Sequence, residues 1–442
     1  MKLLLLLCIL MSSSLYAQTP TTELSPEIKK YIDEVIAQKV KEEKANNPEF
    51  PTIFHGYFRT GTNQFVSGGG RKSGSCFALN YPKNDGLHYR LGNECFDYAE
   101  FSFSKIIKTN GVEVRPFFML DLANDSRSPN ASETWSRRNR QLFVEIKGIF
   151  GNDAALWVGR RYYRSDGDIG DIHVLDGFHV QSSGNGVGVT DVPLAGGIYN
   201  FALIGYGSDD TDTNVNEQNY LADIRANYVR GSQSFQVALQ NLFVSTADGT
   251  ANRTPGRTLT LQWQKNTTLM GHRLVGQYAE GSMAENPGCF GTDGNCFNAT
   301  ASSASSAYRV FSNALIDWGA PLKFHTLLLY QESPDYARWT TMGVRPHYML
   351  TKYWSLLADV GFTRYEKVKD GSFQSRQDLD KYTIALQAST DASQFWNRPS
   401  IRFYYSYFDW NRASASQSSL TLPGRPTQKS AGVVGAQTEI WF

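Results

Sequence analysis

A chain of 442 residues with a net charge of +1, 38 glycines and 13% aromatic residues lacks the basic footprint of a nucleic-acid binder. Beyond residue 17 no stretch approaches the roughly 18 consecutive apolar residues of a spanning helix, which excludes a helical membrane protein. Two all-β readings remain: an outer-membrane barrel, or a secreted β-sandwich array or propeller.

The chain opens with "MKLLLLLCILMSSSLYAQ". Lys2, the apolar run Leu3 to Met11 and the small-residue site at Ala17 predict a secretory signal peptide over residues 1–17. Cys8 leaves with it and lacks the small residues that precede a lipid-modified cysteine. Residues 18–50 read as a helix. Ser25 serves as N-cap, Pro26 stands at the first helical position, and Asn46, Asn47 and Pro48 end it. Ile28, Ile32, Val35, Ile36 and Val40 form a narrow apolar stripe with no core of its own. The expectation is a periplasmic helical or coiled-coil extension that packs in an oligomer or against a barrel mouth; the alternative is a solvated spacer.

From residue 51 to 442 the text is strands and turns. Alternation recurs in "TIFHGYFRTG", "CFDYAEFSFSKI", "GVEVRPFFMLDL" and "RPSIRFYYSYFDW", separated by hydrophilic loops such as "GYGSDDTDTN". Long loops alternating with short turns are the pattern of an outer-membrane barrel. At roughly 20–25 residues per strand and connection, the segment predicts a transmembrane antiparallel barrel of about 16–18 strands. A barrel of that size leaves an aqueous channel.

Parity then assigns faces. In the first strand Phe54 and Phe58 face lipid, so His55, Tyr57 and Arg59 face water. After Cys95, Ala99, Phe101 and Phe103 face out, and Tyr98, Glu100 and Ser102 face in. Near the end Ile401, Phe403, Tyr405 and Tyr407 face out, whereas Trp396, Arg398, Ser400, Arg402 and Ser406 share the inward parity. The final "VVGAQTEIWF" sets Val434, Ala436, Thr438, Ile440 and Phe442 on one face, with Glu439 and Trp441 on the other. Girdle aromatics face lipid, so these inward rings have another use. A pyranose presents an apolar C–H face that stacks on rings and a rim of hydroxyls that binds Arg and carboxylate.

Four cysteines remain in an exported chain: Cys76, Cys95, Cys289 and Cys296. An even number in an oxidising compartment favours disulfides over metal ligands, with three connectivities open. Cys289 and Cys296 bracket "FGTDGN", a loop able to close on itself. Catalysis finds little support. The seven histidines are scattered, G-x-S-x-G and H-E-x-x-H are absent, and "SGGGRKSGS" lacks P-loop spacing. His173 and His179 have no companion ligands at useful spacing, so neither a metal nor a cofactor is expected. The nearer rival is a general diffusion porin for small hydrophilic solutes.

Several segments resemble the maltoporin family, the sugar-specific outer-membrane porins that include the sucrose porins. They are "FHGYFRTG", "YRLGNECFDYAE", "WVGRRYY" followed by "DGDIGDIH", "MGVRPHY", "FWNRPSIR" and the terminal "GAQTEIWF". The resemblance implies a homotrimer of barrels of about 18 strands in the outer membrane of a Gram-negative bacterium, among its lipid and lipopolysaccharide. Each barrel would be narrowed by an inward-folded loop and lined by an aromatic slide for oligosaccharides. By motif, Tyr57, Tyr98, Trp396 and Trp441 match slide positions, and Trp135 in "SETWSRRNR" matches a plate supplied by a neighbouring subunit. The polar track would comprise Arg59, Arg90, Glu100, Arg140, Arg164, Asp166 and Asp171. The constriction tyrosine of the family falls on His173, and the sixth slide aromatic has no equivalent near "LMGHRLVG". The sugar, maltodextrin-like or sucrose-like, therefore stays open. Cys76–Cys95 matches the family's disulfide in the first external loop, and Cys289–Cys296 is additional.

Overall fold

A strand whose two faces meet different media must alternate, and here that alternation folds into β-structure from Thr52 onward. The computed structural model describes residues 52–67, 77, 79, 89–94, 96–125, 136–164, 179–207, 217–246, 255–284, 289–290, 306–319, 321–333, 337–369, 372–373, 376–411 and 428–442. The predicted signal peptide and the helix over residues 18–50 lie outside them.

The strands are β1 (Thr52–Ser67), β2 (Phe96–Lys105), β3 (Ile107–Thr109), β4 (Val112–Asp125), β5 (Ser136–Lys147), β6 (Ala155–Arg164) and β7 (Gln181–Leu194). Then come β8 (Gly197–Gly207), β9 (Glu217–Arg230), β10 (Gln233–Thr246), β11 (Gly256–Asn266), β12 (Met270–Gly281), β13 (Cys289–Phe290) and β14 (Ser306–Asp317). The last are β15 (Leu322–Ser333), β16 (Ala337–Met349), β17 (Trp354–Lys369), β18 (Ser372–Phe373), β19 (Gln377–Ser389), β20 (Ser400–Trp410) and β21 (Ser430–Trp441). Setting aside the short β3, β13 and β18, 18 strands pair antiparallel, each with the next. The barrel closes where β1 pairs with β21, from Tyr57↔Trp441 to Ser67↔Gly432. Closure removes both sheet edges, the condition for a sheet to cross a bilayer.

The two ends differ. At one end turns are tight: Asn110-Gly111 (φ +48° and +82°) and Ala195-Gly196 (φ +48° and +76°) supply the two left-handed residues that a type I′ hairpin needs. At the other end connections such as residues 68–95 and 411–429 are long. The start of β1 and the end of β21 share the short-turn end, which faces the periplasm in outer-membrane barrels.

Burial is inverted relative to a water-soluble protein. Val158, Leu261, Leu328 and Phe403 point outward and are more than half exposed, whereas Arg309, Arg345 and Asp359 are buried inside. That apolar outer band is the lipid-facing surface of a barrel, and Trp318, Tyr353 and Trp354 edge it near the short turns.

The lumen is not empty throughout. Phe77, Leu79, Tyr89 and Leu91, from the connection between β1 and β2, are buried with Trp339, Leu357, Tyr404 and Phe408 of the inner wall. Phe77 stacks on Phe408 at 4.3 Å, and Asn93 exchanges two hydrogen bonds of 2.8 Å with the Phe77 backbone. Burying an aromatic ring contributes about 1.5–3 kcal/mol, so this segment is held as firmly as an ordinary core. A second connection also reaches inward. The His179 carbonyl accepts from Gln277 of β12, and its ring meets Phe311 of β14 edge-on at 5.2 Å. The bore that the strand count predicts is therefore partly filled by these connections.

Candidate functional site

The closing seam, β20–β21–β1–β2, gathers the inward aromatics. Tyr57 is the cross-strand partner of Trp441 on one side and Glu100 on the other, and Arg59 pairs with Glu439 and Tyr98. Directly opposed residues share a face, so register alone places rings and charges side by side. Four rings form a row. Trp396 lies 6.2 Å from Trp441, Trp441 stacks on Tyr57 at 6.5 Å with 19° between planes, and Tyr57 is 6.0 Å from Tyr98.

Trp396 belongs to the turn between β19 and β20, not to a strand. Its neighbour Phe395 is buried, 3.7 Å from His325 and 5.8 Å from His347, and meets Trp396 edge-on at 5.1 Å. The turn is braced internally: the Asp391 carboxylate accepts from the Ser393 amide (2.9 Å) and hydroxyl (2.7 Å). Those bonds hold the Asp391 carboxyl below the usual carboxylate range.

Glu439 is the hub beneath the row. Its carboxylate accepts from the Tyr57 hydroxyl (2.8 Å) and from Arg398 Nε (3.0 Å), with Arg398 Nη2 at 2.8 Å and Arg402 Nη1 at 3.6 Å as ion-pair contacts. The Arg398 guanidinium lies 4.3 Å from the Trp441 ring centroid, a cation–π contact that fixes the plate. Further along, Arg59 sits 4.8 Å over Tyr98 and 3.5 Å from Glu94, and Arg90 holds Glu94 at 3.1 Å. The Tyr98 hydroxyl donates to Glu100, and Arg140 pairs with Asp121. Arg164 stacks 3.8 Å over Tyr162.

The structure thus brings together Tyr57, Tyr98, Trp396 and Trp441, with Arg59, Arg90, Glu100, Arg140 and Arg164 beside them. Trp135, Asp166, Asp171, His173, Cys76, Cys95 and Cys296 lie outside the described residues, as does the side chain of Cys289. Glu94, Asp121 and Tyr162 enter the site although they carry no assigned role in the sequence, and Arg398 and Glu439 had only an inward parity. Glu94 stood inside "YRLGNE", where an acid four residues after Arg90 is a visible partner. Asp121 depends on a bulge: β4–β5 register shifts between Met119 and Leu120, which turns Arg140 toward it. The β5–β6 ladder ends at Leu142↔Arg160 while β6 stays paired with β7, and past that end Tyr162 lies beneath the Arg140 and Arg164 guanidiniums.

A closed barrel of 18 strands, apolar outside and polar within, defines an outer-membrane porin. Residues 52–442 match the model of the LamB porin family, and the chain belongs to that family. Among solved structures it is similar to Acinetobacter baumannii OccAB1, with 8% identity, TM-score 0.50, and coverage of 89% of this chain and 96% of that one. It is also similar to Acinetobacter baumannii OccAB2 (9% identity, TM-score 0.49, 88% and 98% covered). An anion-selective porin from Comamonas acidovorans gives 12% identity, TM-score 0.45, and 89% and 100% coverage. The likeness to OccAB1 is one of fold.

Proposed function

We propose that this porin passes saccharides selectively, by facilitated diffusion along the ring row from Tyr98 to Trp396. One observation carries the reading: a row of four inward rings, each within 6.0–6.5 Å of the next, flanked by Arg59, Arg90, Glu94, Glu100, Arg398 and Glu439. Passage requires binding strong enough to recruit a sugar and weak enough to release it, with neighbouring sites for transfer. Rings at this spacing offer a pyranose its next stacking partner before it leaves the last. The charged groups let hydroxyl hydrogen bonds be exchanged singly, so that no step leaves a polar group unpaired.

On the same reading Trp135, Asp166, Asp171 and His173 extend the row and its polar track, and maltodextrin- or sucrose-like oligosaccharides are the substrates. Residues 1–17 act as an export signal and residues 18–50 as a periplasmic extension of a homotrimer set in lipid and lipopolysaccharide. Cys76 is bridged to Cys95 and Cys289 to Cys296.

Each plate contributes roughly 0.5–1.5 kcal/mol if aromatic pairing is a fair guide. Trp396→Ala or Tyr98→Ala is therefore expected to weaken saccharide block of the ion current roughly 2–13-fold. Open-channel conductance should stay nearly constant, because neither change narrows the bore. Swelling of protein-loaded liposomes tests the function itself. A saccharide channel gives uptake rates that saturate and that rank sugars by structure; a general diffusion porin gives rates that follow solute size alone and do not saturate.

A further inference from the structure

Residues 89–94 hold a conformation that strand alternation does not account for. Tyr89 has φ +58°, a left-handed backbone that a bulky residue adopts only when its surroundings impose it. Its ring is buried against the inner wall where Gly343 of β16 and Gly361 of β17 are register partners. A Cβ added to Gly343 would lie 2.2 Å from Tyr89 Cε1, and one added to Gly361 would lie 2.4 Å from Cε2. The two glycines therefore form a slot that only a missing side chain on each strand leaves open. At its end the Tyr89 hydroxyl meets Thr341 Oγ1 at 2.6 Å, and Thr341 Oγ1 is 3.0 Å from Thr363 Oγ1.

From that slot the segment runs across the wall in residue order. The Leu91 carbonyl accepts from Thr383 of β19 (3.4 Å), and the Gly92 amide donates to Gln437 of β21 (2.7 Å). Glu94 and Arg90 then reach β1, with Glu94 3.5 Å from Arg59 and Arg90 Nη2 3.4 Å from the Tyr57 hydroxyl. The segment is a strap pinned by a ring at one end and presenting a cation and an acid to the aromatic row at the other.

We propose that Tyr89 is the positioning residue of this strap: its docking between Gly343 and Gly361 sets the bore and holds Arg90 and Glu94 against Tyr57 and Arg59. The effect on bore does not depend on what the channel carries, so ion conductance reads it without any sugar. Tyr89→Ala removes the ring, and Gly343→Ala fills the slot. If both act by undocking the strap, each raises single-channel conductance and weakens saccharide block about tenfold, the size of one charge-assisted hydrogen bond. The double variant then does no more than either alone, because a filled slot and a missing ring undo the same contact.

The full-length protein in planar bilayers supplies the test, with the heat-dependent gel shift of a folded barrel as the control for folding. Tyr89→Phe keeps the ring and should retain wild-type conductance, which a general loss of wall stability would not reproduce. Wild-type conductance in Tyr89→Ala, or additive effects in the double variant, would overturn the proposal. Should Gly343→Ala not fold, the contrast between Tyr89→Ala and Tyr89→Phe decides. A sugar-blind wild-type channel whose conductance still rises in Tyr89→Ala would sink the saccharide reading and leave the strap intact.

Discussion

Replacing Glu439 with alanine is expected to weaken saccharide block more than removal of any one aromatic ring. The carboxylate fixes two plates together: it accepts the Tyr57 hydroxyl at 2.8 Å and holds Arg398, whose guanidinium lies 4.3 Å over Trp441. With two plates at roughly 0.5–1.5 kcal/mol each, the loss falls at about 1–3 kcal/mol, or roughly 5–150-fold in the blocking constant. The change also removes a lumen carboxylate, so reversal potentials in a salt gradient should move toward anion preference. Glu439→Gln separates the two effects, since its amide oxygen can still accept from Tyr57 while the charge is gone. A Glu439→Ala channel with wild-type block would show that Tyr57 and Trp441 are held by packing alone.

The second large effect concerns the wall beside the seam, where β19 pairs with β20. Asp359 of β17 is buried and lies 2.6 Å from Arg345 of β16 and 3.4 Å from Lys381 of β19, both also buried. Three strands are therefore tied through one carboxylate. A buried ion pair adds little over an apolar pair of the same shape, but removing one member leaves charge in a low-dielectric site. Asp359→Ala leaves two cations side by side without the acid between them, at a cost of about 3–5 kcal/mol. Urea-induced unfolding of the detergent-solubilised barrel measures this as a lowered midpoint, with Asp359→Asn falling between. An unchanged midpoint would mean that water reaches the cluster and screens it.

The barrel was legible because lipid and water impose opposite demands on alternate residues. The C-terminal strand shows this most clearly: Val434 is exposed outward while Gln437 and Glu439 are buried within, as its alternation requires. The same parity, applied to Tyr57, Tyr98 and Trp441, placed three of the four rings in the row. Trp396 came from a turn, where parity has no authority, and it lies in the row because Phe395 is wedged against His325 and His347.

What the alternation could not convey is which inner surface meets water and which meets protein. In β20, "SIRFYYSYFDW", Tyr404, Phe408 and Trp410 share the inward face with Arg402 and Ser406. A strand apolar on both faces reads as buried on both sides, and here one side is lipid and the other is the segment containing Phe77. That contact joins residues more than 300 positions apart, beyond the reach of any local pattern. Gly343 and Gly361 are likewise silent in sequence: each looks like a weak point in a strand until Tyr89 occupies the space. Arg140 was named only through the family resemblance, because a bulge breaks the count of two on its strand, and Tyr162 carried no signal in the sequence.

Single-channel ion current in a planar bilayer, recorded while a series of mono-, di- and oligosaccharides is added, tests the central claim most directly. A row of rings with exchangeable polar partners predicts interruptions of the current whose frequency rises with sugar concentration and saturates, with affinity increasing as the saccharide spans more rings. Current that falls only with the conductivity of the bulk solution, for every sugar in the series, would contradict the account and leave a general diffusion porin in its place.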